Sequence, residues 1–102
     1  MDTKSAHLQL HIRLCDSISS WELDVYGEML KESKNLKVKT GRDAIALYLV
    51  NKHGWQLDHC RTITDSDLKI LLADELKAWK MPKEIHSLCS PFLKWIQANP
   101  AP

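Results

Sequence analysis

No apolar run in this sequence exceeds the seven residues of 44–50, far below the ~20 that a membrane-spanning helix requires. No membrane association is therefore expected. A disulfide framework is missing too. The three cysteines, Cys15, Cys60 and Cys89, are odd in number, far apart and without a CxxC pair, a pattern that points to reduced thiols in a cytoplasm. The opening MDTKSAHLQL has no charged stretch leading into an apolar one, so it does not read as a secretory leader. An excess of charge of one sign is also absent. Fourteen basic against thirteen acidic residues leave +1, which excludes a global field that would draw the protein onto nucleic acid or anionic lipid. Finally, GxSxG, the P-loop, the dinucleotide-binding glycine fingerprint and HExxH all fail to occur. Catalytic residues and cofactors are accordingly not expected, and the chain reads as a non-enzyme.

What is present is an ordinary globular composition. With 102 residues, 44% apolar and 26% charged, the chain can bury a modest core without staples. One helical domain over residues 1–97 is expected, followed by a flexible Pro- and Ala-containing tail, 98–102.

Apolar periodicity predicts a mainly α fold, a compact bundle of about five helices. Residues 19–34 show Trp21, Val25, Tyr26, Met29 and Leu30 at helical spacing behind a Ser19/Glu22 capping pair. A second helix follows Thr40 and Asp43, in capping spacing, and stops at Gly54. Its AIALYLV run is apolar on all faces, which predicts a central helix with Leu47 as buried as its neighbours. One short helical turn is expected near residues 57–61. Thr64 and Asp67 cap a further helix carrying Leu68, Leu71, Leu72, Leu76 and Trp79, and Pro82 opens the last. Its stripe is Ile85, Leu88, Cys89, Phe92 and Ile96, with Pro91 bending or restarting it. The N-terminal segment is ambiguous. Leu8, Leu10, Ile12 and Leu14 alternate as in a strand that could pair near residues 36–39, yet with Cys15 and Ile18 they also fall on one broad helical arc. Leu, Gln and Arg favour the helix.

Three groups of residues could carry a function. The stretch KESKNLKVKTGR packs Lys31, Lys34, Lys37, Lys39 and Arg42 against one acid, Glu32. Lys31 and Lys34 suit the negative end of the preceding helix. Lys37, Lys39, Thr40, Gly41 and Arg42 then surround a helix N-terminus, an arrangement suited to phosphate or nucleic acid. A row of His7, His11 and Cys15 suggests metal or thiol chemistry, but on a helix the row spans roughly 12 Å, too far for one ion. No metal site is therefore expected. Trp95, next to Lys94 and off the apolar stripe, is the candidate interface anchor, with Phe92, Lys94 and Gln97 around it. The leading expectation is a small regulatory or interaction module that binds a protein partner or itself. The alternatives are a nucleic-acid or phosphate binder using residues 31–42 and a small His/Cys metal or thiol protein.

Overall fold

In the computed structural model, which describes residues 2–101, 78% of the chain is helical and no strand occurs among the described residues. The mainly helical fold is as expected; the strand pairing is not. Leu36 and Val38 lie instead in a loop and pack on a hydrophobic core. The elements are α1 (Thr3–Ser33), α2 (Gly41–His53), α3 (Leu57–Arg61), α4 (Asp65–Leu71), α5 (Ala73–Ala78), α6 (Lys83–His86), a 3-10 turn (Ser87–Cys89) and α7 (Ser90–Ala98). The 31-residue α1, the 13-residue α2 and a train of shorter helices thus stand where a bundle of about five helices was expected.

The length of α1 is the main departure from expectation. Asp2 caps it, its Oδ1 accepting from the Ser5 amide at 2.7 Å, and the helix then runs through Ser19 and Ser20 without interruption. A capping Ser19 would need extended backbone and a free turn behind it; here residues 16–22 keep their helical hydrogen bonds and the helix continues through Ser19, although Asp16, Ser17, Ile18 and Ser20 are only moderate helix formers. It ends where Asn35 takes a left-handed φ of 50° and the Leu36 amide bonds the Lys31 carbonyl at 2.9 Å.

The described residues fall into two compact units. Glu22–Lys80 forms the larger, and the chain through Trp21 together with the chain from Met81 forms the other.

Within Glu22–Lys80 a single core gathers Leu23, Tyr26 and Leu30 of α1, Ile45 and Leu49 of α2, Cys60 of α3, and Leu68 with Leu72. Thr40 caps α2 by accepting from the Asp43 amide, and Gly54 closes it with φ 71° and an N–H that donates to the Val50 carbonyl. α2 is less enclosed than its sequence implies. Ala44, Ile45, Ala46 and Leu49 are buried, whereas Leu47 is only half-buried and lies outside the core. At 100° per residue Leu47 stands about 160° from Ile45, on the side the neighbouring elements cover less. Thr64 caps α4 as expected. The helix expected over the whole stretch beyond it breaks at Leu72, whose φ of −101° and ψ of 15° end α4 and start α5. Trp79 closes this unit, edge-on to Tyr26 at 5.4 Å and donating its indole N–H to Met29 Sδ.

In the other unit α1 runs antiparallel to the C-terminal segment. Early in α1, His7 meets Trp95 at 5.7 Å between ring centroids and donates from Nε2 to the Asn99 carbonyl at 3.2 Å. Further along α1, Leu14, Ile18 and Trp21 face Leu88 and Phe92. Pro91 falls in the first turn of α7, where its missing N–H costs nothing. It restarts the helix after the 3-10 turn, one of the two outcomes expected of it.

Candidate docking site

The feature with the most evident capacity to bind lies within the smaller unit. Leu14, Ile18 and Trp21, on successive turns of α1, form one wall of an open cleft of about 250 Å³; Leu88 and Phe92 form the other. Ser17 contributes the one hydroxyl of the lining, and Cys89 closes the floor with its thiol donating to the His86 carbonyl at 3.1 Å. Leu88 is 67% exposed and Phe92 50% exposed. Two large apolar side chains left in water beside an apolar cleft are a recognised mark of a contact surface. Nothing in the lining supplies a nucleophile with a base beside it.

The Trp95 set is divided by the helix. Trp95 is half-buried against His7, Phe92 stands at the cleft, and Lys94 and Gln97 are exposed. Along α7, Lys94 lies about 160° and Gln97 about 140° from Phe92. The two do not share Phe92's face. Sequence projection assigns Leu88 and Phe92 inward and Trp95 outward, whereas Leu88 and Phe92 are the more exposed. The 3-10 turn accounts for the difference: it advances about 120° per residue rather than 100°, so a stripe projected as one α-helix across Ser87–Cys89 loses its register.

The basic corner is occupied from within. The Gly41 amide donates to Glu28 Oε1 at 3.0 Å, and the Asp43 amide is taken by Thr40. Arg42 donates from Nε to Asp24 at 2.6 Å and from Nη1 to Asp65 at 2.6 Å. Burial works against its charge, but the hydrogen bonds to Asp65 and Asp24 outweigh burial and hold its pKa above the ordinary arginine value. Lys31 bonds the Lys39 carbonyl. Lys37 and Lys39 remain as exposed cations on a loop, near amides already spent.

His7, His11 and Cys15 do lie along one helix. His7 turns to Asn99, Cys15 sits 3.9 Å from His11 Nδ1, and among the described residues no three His, Cys, Asp or Glu side chains converge as metal ligands.

Trp21 and Leu88 are absent from the sequence-derived interface. A signal for Trp21 exists: Leu10, Leu14, Ser17 and Trp21 continue one helical row, which the Ser19/Glu22 capping spacing masks. No protein-family model, curated protein or solved structure matches the chain.

Proposed function

We propose that the chain is a small non-catalytic interaction module, acting in the cytoplasm by protein–protein contact through the C-terminal segment and the cleft it forms with α1. The observation that carries this reading is the exposure of Leu88 and Phe92 beside an apolar cleft. Anchors of binding energy are large side chains that a partner desolvates, each typically costing about 2 kcal/mol or more on truncation. Phe92 is such a side chain, and Trp21 offers a second aromatic surface within the same cleft.

An anion-binding role for residues 37–42 has weaker support. The donors that would make a phosphate site are bonded to Glu28, Asp24 and Asp65. The test is capture of partners from the native host by the wild type and by a Leu88→Asp/Phe92→Asp variant. A partner retained by the first and lost by the second, with equal helical content, supports the reading. Equal capture by both removes the cleft from it.

A further inference from the structure

We infer that the occupant of the cleft is a second copy of this chain, two antiparallel α1/C-terminal pairs closing on each other as a four-helix bundle. The inference rests on the contact reading above and names its partner.

The first argument is the state of the smaller unit. About forty residues are at the size where a domain usually needs a staple or oligomerisation to bury enough surface. Cys89 is its one buried residue among those described, while Leu10, Leu88 and Phe92 stay exposed. A pair of helices has no inside. Each contributes an apolar stripe that a single neighbour covers only in part, and the common solution is two further helices laid across the same faces. A second copy supplies two helices of matching length and pattern.

The second argument is self-complementarity. A two-fold interface uses the same patch twice, so that patch must contain both the projecting group and its receptacle. Here Leu88 and Phe92 project beside the cleft that Leu14, Ile18 and Trp21 line, so each copy brings knob and hole together. Charge agrees. The described residues of this unit carry Lys4, Arg13, Lys83 and Lys94 against Asp2, Asp16 and Glu84. The cleft lining itself carries no charged side chain, and a unit so nearly balanced does not repel its own copy, whereas a surface made for a strongly acidic or basic partner would carry one sign.

Leu8 and Ile12 are exposed too, but they lie about 120° and 160° around α1 from Leu14, away from the cleft. They serve as the control.

The experiment is sedimentation equilibrium of the full chain from about 1 μM to about 1 mM, a range that brackets micromolar dissociation constants. The wild type is expected to pass from monomer to dimer and no further. Phe92→Ala should weaken dimerisation at least about tenfold, and Leu88→Asp/Phe92→Asp should leave a helical monomer throughout. Leu8→Gln/Ile12→Gln should match the wild type. A wild type that stays monomeric at every concentration overturns the inference without any variant having to fold; the contact reading is then judged by capture from the host. A dimer that survives the double Asp variant, or that the Leu8/Ile12 variant breaks, overturns it by placing the interface elsewhere.

Discussion

Gly27 of α1 and Gly41 of α2 meet backbone to backbone: a Cβ added to Gly27 would run into the Gly41 carbonyl, and one added to Gly41 into the backbone of residues 27 and 28. The close approach lets the Gly41 amide reach Glu28 Oε1 and brings Arg42, the next residue, to Asp24. Neither obstacle is a flexible side chain, so an added methyl must push the helices apart. Gly27→Ala is expected to cost about 1 to 3 kcal/mol or more, read as a lower urea midpoint. An unchanged midpoint would mean that the helices do not touch here.

The uneven burial of α2 gives a second prediction. Ile45 and Leu49 are fully buried, and Leu49→Ala should destabilise by about 2 to 5 kcal/mol through lost packing and a cavity. Leu47→Ala, at a half-buried position outside the core, should cost clearly less. Equal losses at both positions would return α2 to the centre of the fold.

Arg42 separates structure from surface charge in the basic segment. Arg42→Gln leaves Asp24 and Asp65 without their shared cation and should lower stability by about 1 kcal/mol, a figure held down because all three side chains are partly in water. Lys37→Gln with Lys39→Gln should leave the midpoint unchanged. Should the wild type be retained on DNA at low salt, and the Lys37/Lys39 variant not, the anion-binding reading would have to be restored.

Alkaline pH should weaken the fold. Burial raises the Tyr26 pKa above the ordinary 10.0, and the hydrogen bond to Glu75 raises Lys52 above 10.5. In both cases the folded state holds its proton after the unfolded chain has released it, so stability is complete below pH ~10 and falls as pH rises through the folded values. Asp2 acts on the opposite side. The Ser5 amide lowers its pKa below 3.8, so its cap is present above that value and lost as pH falls through the folded one. Urea midpoints should therefore hold up to pH ~10 and decline above it; a rise there would contradict the environment given to Tyr26 and Lys52.

Trp95 and Phe92 should behave differently. Trp95→Ala removes the ring against His7 and is expected to lower the unfolding midpoint, whereas Phe92→Ala, half in water, should barely move it in the monomer and act on association. Thermal unfolding at low concentration beside sedimentation distinguishes the two. A Phe92→Ala variant that unfolds easily yet associates normally would make Phe92 part of the core.

Much of this architecture is local and legible in the sequence alone. Thr40 before Asp43, Thr64 before Asp67, Gly54 and the turn at 57–61 form as read, because a cap or a left-handed glycine is decided by the few residues around it. What tertiary structure decided are the places where two local solutions compete or where a face must choose its neighbour. Ser19 and Glu22 satisfy the capping pattern, but continuing the helix keeps every backbone bond, and α1 runs through them. AIALYLV carries no polar stripe to say which side meets water; Leu23, Tyr26 and Leu68 cover one side and leave Leu47 on the other. The rotation that exposes Phe92 comes from a three-residue change of helical pitch, too small to read from periodicity and large enough to turn a core stripe outward.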